Sequence, residues 1–118
     1  MCNFAPPDMV GHTGNYEAAI KGVEATDMAI GIIYEACKAN NYTLVITADH
    51  GNAEQMLNYE TGEKHTAHTC NPVPLIVASN NIHLDREKNG ALCDVAPTIL
   101  DIMGILIPSE MTGVSLKK

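Results

Sequence analysis

Two kinds of hydrophobic pattern divide this chain. From Tyr16 to Cys37, apolar residues at 16, 19, 20, 23, 30, 33, 34 and 37 recur at helical spacing, interrupted by Asp27, while Glu17, Lys21, Glu24, Glu35 and Lys38 mostly fall elsewhere. Asn15 is a suitable N-cap, Glu17 is an acid where the helix dipole favours one, and Asn40-Asn41 closes the run. One long helix is predicted between them. Thr43-Leu44-Val45-Ile46-Thr47 and the stretch Val73 to Ala78 are short, nearly continuous apolar runs, the pattern of strands buried on both faces. A second helix is expected from about Asp94 to Met103. Met1 to Phe4 reads as the end of a strand, and Pro6, Pro7, Gly11 and Gly14 predict a loop after it. The tail from Gly104, with Pro108 and Gly113, is expected to be irregular.

Strand end, helix, strand, loop, strand, helix is the order of the α/β class with a mostly parallel sheet. Two or three short strands do not complete such a sheet, so residues 1–118 read as a segment of a larger domain. The 118 residues carry 7 Lys+Arg against 14 Asp+Glu, a formal charge of −7, with no basic run beyond Lys117-Lys118. Nucleic acid and anionic membranes are poor partners for that balance. No apolar stretch approaches the roughly 20 residues of a spanning helix. The first residues lack the basic start of a secretory signal, and the four cysteines form no CxxC pair. A cytoplasmic protein with reduced thiols is the expectation.

Candidate chemistry concentrates in three short loops: Asp8-x-x-x-His12, Asp49-His50, and His65-x-x-His68. Carboxylates and imidazoles together suit a divalent ion such as zinc, manganese or iron, and open α/β sheets bind ligands at the carboxyl ends of their strands. An isolated Asp-His-Gly is more often a turn than a ligand. The coincidence of three such loops is what favours metal. Asp49 and His50 would point to opposite faces of a regular strand, so their convergence requires a bend, for which Gly51 is the permissive residue. Asp8 and His12 are spaced for one helix face, but the neighbouring Pro7 and Gly11 favour a loop wrapping a cation. Five candidate ligands exceed the three or four of a mononuclear site, and two ions are the better count.

The stretches Asn3 to Gly14, Thr47 to Glu54, His65 to Pro74, Asp94 to Thr98 and Glu110 to Leu116 together resemble the C-terminal part of the cofactor-independent phosphoglycerate mutases, within the alkaline phosphatase superfamily. The resemblance implies an alkaline-phosphatase-like three-layer domain and two Mn2+ ions, replaceable by Mg2+ or Co2+, with no requirement for 2,3-bisphosphoglycerate. It implies that Asp8, His12 and His68 hold one ion and that Asp49 and His50 hold the other. His65 is left as a neighbour of the site. The implied reaction interconverts 3-phosphoglycerate and 2-phosphoglycerate through a phosphoserine, in a typically monomeric glycolytic enzyme. The nucleophilic serine and the substrate-binding motifs of that family are absent here. Ser79, Ser109 and Ser115 stand in unlike contexts, and no catalytic residue is assigned. The chain alone is therefore expected to be inactive. A non-catalytic metal-binding module, or a segment of a related phosphatase or mutase, is the alternative.

Overall fold

The structure is a computed structural model describing residues 1–118, in which the chain divides into two compact units. The first comprises residues 1–41 and 48–73. It opens with a six-residue helix, α1 (Pro6–Gly11), where a loop was expected. The reason is positional. A proline at the first helical position loses no hydrogen bond, because that N–H has no intrahelical partner anyway. Residues 1–5 form no strand. A strand needs a ladder partner, and the only two strands of the chain pair with each other.

Helix α2 (Tyr16–Ala39) matches the predicted long helix, and the Asn15 side chain caps it by accepting from the Ala18 N–H at 3.1 Å. α1 packs near Gly22, where a Cβ would come within 3.5 Å of the Pro6 carbonyl. The inner face of α2 is made mainly of small side chains, with Ala19 buried and Thr26, Ala29 and Cys37 half-buried. The other part of its apolar stripe is uncovered: Tyr16, Ile20, Val23, Met28 and Ile32 are all exposed.

The second unit comprises residues 42–47 and 74–118. β1 (Leu44–Thr47) and β2 (Leu75–Ala78) pair antiparallel, with Leu44 opposite Ala78 and Thr47 opposite Leu75. Full burial on both faces is not found: most strand residues are half-buried, and Ile76 is exposed. Burial belongs to a strand's neighbours, and a two-stranded sheet supplies few. A 3-10 turn (Leu92–Asp94) leads into α3 (Val95–Ile102), slightly inside the predicted limits. The tail is irregular but anchored. Thr98, fully buried, donates to the Asp94 carbonyl at 2.7 Å and accepts the Leu116 N–H at 3.0 Å. No helix is long and apolar enough to cross a membrane.

Candidate metal centre

α1 places Asp8 and His12 one turn apart on the same face, so the Asp8 Oδ1 lies 3.2 Å from the His12 Nε2. His68 arrives from a distant stretch of chain. Its Nε2 is 3.0 Å from Asp8 Oδ1 and 3.0 Å from His12 Nε2. These three atoms form a nearly equilateral triangle. Two imidazole nitrogens so close cannot both present lone pairs to each other without repulsion, unless a proton or a cation lies between them. Neighbouring ligands at right angles on an ion with bonds of about 2.1 Å are about 3.0 Å apart. The donor set therefore fits one face of a divalent-metal coordination shell.

A further contact supports the ligand orientation of His12. Its Nδ1 lies 2.7 Å from the Thr66 carbonyl, to which it can donate, leaving Nε2 as the acceptor turned toward Asp8. Metal-bound histidines are commonly held in this way by a partner on the other ring nitrogen.

His50 lies beside the same triangle. Its ring stacks on that of His68 with centroids 3.5 Å apart, and its Nε2 is 4.0 Å from Asp8 Oδ1. Donor atoms of Asp8, His50 and His68 all fall within 4.8 Å of one another. The same His50 nitrogen is 3.5 Å from Asp49 Oδ1. Asp49 is otherwise turned outward, its side chain 89% exposed. His50 thus faces both carboxylates, Asp8 on one side and Asp49 on the other. The geometry gathers His50 with Asp8 and His68 and leaves Asp49 at the exposed rim.

His65 is placed differently. Its Nδ1 bonds the Gln55 carbonyl at 3.1 Å, and its backbone N–H donates to Met56. None of its contacts is with the four clustered side chains.

The chain bends at Asp49 and His50 as expected, and what Gly51 contributes there is its lack of a side chain rather than a positive φ. Positive φ occurs at Gly14, Gly62 and Gly104, but not at Gly51. A Cβ on Gly51 would collide with the Thr69 hydroxyl and the Glu54 carboxylate. Those two groups bond each other, and Glu54 also accepts from Asn71 Nδ2 at 2.9 Å and from the Asn52 N–H at 2.6 Å. Burial pushes the Glu54 carboxyl up, but the hydrogen bonds from Thr69, Asn71 and the backbone N–H groups of Glu54 and Asn52 outweigh it and hold the group below its ordinary range. Asn52, itself buried, donates from Nδ2 to Asp8 Oδ1 at 3.3 Å. The roles of Asn52, Glu54, Thr69 and Asn71 were not apparent from sequence, although all four lie within the two central motifs.

Comparison with known proteins agrees with this chemistry. Residues 1–106 match the Metalloenzyme superfamily. The chain is 65% identical to the 2,3-bisphosphoglycerate-independent phosphoglycerate mutase of Brugia malayi, over 96% of this chain and 22% of that protein. The corresponding mutase of Caenorhabditis elegans is 60% identical, again with 22% of its length covered. Among solved structures, the Leishmania mexicana phosphoglycerate mutase at low cobalt concentration superposes with a TM-score of 0.86 and 30% identity, over 98% of this chain and 24% of that one. The likeness gives the segment its fold, that of part of a phosphoglycerate mutase, and the chain spans about a fifth of the curated relatives it matches. With its match running from residue 1 to residue 106, the chain belongs to the metalloenzyme superfamily.

Proposed function

We propose that residues 1–118 are the C-terminal, metal-binding segment of a 2,3-bisphosphoglycerate-independent phosphoglycerate mutase, which interconverts 3-phosphoglycerate and 2-phosphoglycerate in the cytoplasm. The triangle of Asp8 Oδ1, His12 Nε2 and His68 Nε2, with edges of 3.0 to 3.2 Å, carries this reading. Asp8, His12 and His68 hold one ion; Asp49 and His50 begin the site of a second. The remaining parts of the domain, the nucleophilic serine and the substrate-binding groups belong to the rest of such an enzyme.

Bound divalent cations supply positive charge that acidifies an attacking hydroxyl and neutralises phosphate oxygens. The chain's own residues arrange that charge: Thr66 orients His12, and Asn52 supports the Asp8 carboxylate. An acidic segment with a formal charge of −7 would otherwise repel an anionic substrate. A mixed carboxylate and imidazole donor set without a thiolate suits Mn2+ or Co2+ better than Mg2+, which prefers oxygen ligands, and Mn2+ is the proposed resident. The cobalt used with the Leishmania mexicana mutase is in keeping with such a donor set.

The test is an enolase-coupled assay without added 2,3-bisphosphoglycerate. A longer protein carrying this chain should turn over 3-phosphoglycerate, lose activity to a chelator and regain it with Mn2+, while the isolated 118 residues should be inactive. Robust turnover by the isolated chain would overturn the segment reading. Failure of the longer protein under the same conditions would overturn the mutase reading.

A further inference from the structure

The clustered donors come from three pieces of chain: α1, the loop 49–54 and the segment 68–71. Each must be held in place if the site is to be preorganised before an ion arrives. Between α1 and the loop, the fastening is Asn52, which bonds Asp8 and occupies the space a Cβ on Gly11 would take. Between the loop and the third piece there is one backbone bridge, in which the Thr69 N–H donates to the Gly51 carbonyl at 2.8 Å. A single bridge is a weak hinge. Glu54 closes it, one oxygen receiving the Asn52 N–H and the other receiving both Thr69 Oγ1 and Asn71 Nδ2. Hydrogen bonds to a carboxylate are among the stronger kind.

We propose that Glu54 is a positioning residue for the metal centre: its carboxylate braces the loop that carries Asp49 and His50 against the segment that carries His68. The consequence is that the imidazoles of His50 and His68 keep their stacked approach and continue to face Asp8. Glu54 contacts none of the clustered donor atoms, so it acts through Asn52, Thr69 and Asn71. The inference takes its ligand from the metal-centre reading above, whereas the brace itself is a property of the metal-free chain.

The experiment has two arms on the full chain. In the first, Co2+ is titrated and its visible absorption followed. Glu54→Ala should weaken binding by about 10- to 100-fold, the usual cost of losing a group that orients metal ligands, and should alter the band intensities even at saturation. Glu54→Gln keeps one oxygen for the Asn52 N–H and should lie between Ala and wild type. Adding Thr69→Val to Glu54→Ala should cost little more, because both changes break one connection. In the second arm, amide hydrogen exchange is measured without metal, and Glu54→Ala should speed exchange at Thr69. Unchanged Co2+ affinity, spectrum and Thr69 exchange in Glu54→Ala would overturn the proposal. If wild type gave no Co2+ absorption, the metal-centre reading would fail, and the exchange arm would still decide whether Glu54 is a brace. If Glu54→Ala failed to fold, Glu54→Gln and Thr69→Val would decide, the first by an intermediate spectrum and the second by faster exchange at residue 69; wild-type behaviour in both would overturn the proposal.

Discussion

Asp8 and Asp94 are both aspartates on short helical turns, yet their surroundings are opposite. Around Asp94 every close partner is a donor: the Ala91 and Val114 N–H groups bond it at 2.8 Å each, and the Cys93 thiol adds a longer contact at 3.8 Å. These donors, the Val114 and Ala91 N–H groups foremost, hold its carboxyl below the ordinary range. Around Asp8 the partners are three imidazole nitrogens, two of them 3.0 to 3.2 Å away, and a single amide donor, Asn52 Nδ2, at 3.3 Å. Imidazole nitrogens become good neighbours of a carboxylate only by carrying protons or by sharing a cation. A carboxylate surrounded by N–H groups fastens the backbone; one surrounded by imidazoles is available for metal. The comparison separates two roles that residue type alone leaves merged.

The comparison is broken most directly at the histidines. His68→Ala removes one corner of the triangle and should weaken Mn2+ binding by more than the roughly 100-fold that marks the upper end for orienting residues. His65→Ala, whose imidazole bonds only the Gln55 carbonyl, should change it little. Calorimetric Mn2+ titration of both variants decides, and equal losses would show that proximity to Asp8 does not select the ligand.

Next in size is the fastening around Asp94. Thr98→Val removes the hydroxyl that receives the Leu116 N–H and leaves that donor unsatisfied inside the fold. A buried orphan of this kind costs about 1–3 kcal/mol, to be read from urea unfolding, with no change in metal affinity. Parallel losses of stability and metal affinity would contradict the division of labour.

Asp94 itself gives a signed pH prediction. A carboxyl whose folded pKa is lowered contributes stability that is present above its unfolded value, about 3.9 for aspartate, and is lost as pH falls through the lower folded value. Glu54 and Asp101 share the direction. The wild-type chain should therefore lose stability progressively as pH drops below about 4, and Asp94→Asn should flatten part of that acid limb. Melting curves from pH 7 downward measure it, and an equally steep limb in the variant would remove Asp94 from the account.

How much of this was legible in sequence depends on how local each cause is. The cap at Asn15 and the periodicity of α2 act within a few residues, and both were found where expected. α1 is hidden in the sequence because Pro6 and Pro7 look like breakers, although the start of a helix is the one place that tolerates them. The candidate donors could be picked out by residue type, and their chemistry depends little on the path between them. Glu54 offered no such clue. Its meaning comes from Thr69 and Asn71, 15 and 17 positions away, brought near by a bridge that no periodicity encodes. The bend at Asp49 and His50 is legible from Gly51, but its need for space beside Thr69 and Glu54 is not, since space and backbone freedom leave the same letter in a sequence.

The smallest effect tests a third kind of carboxylate. Asp85 meets Lys88 at 3.9 Å, with the lysine side chain 49% exposed, so the attraction is screened by water and opposed by the entropy of holding a long side chain. Lys88→Ala should then change stability by less than about 1 kcal/mol, and moderate salt should erase the difference. Asp85 has one further support in this turn, its Oδ1 accepting the Glu87 N–H at 3.1 Å, which the substitution leaves in place. If urea unfolding gave a loss as large as that of Thr98→Val, charge at the surface would matter here as much as a buried backbone bond. The contrast drawn between Asp8 and Asp94 would then need a general electrostatic term rather than a difference in what surrounds each carboxylate.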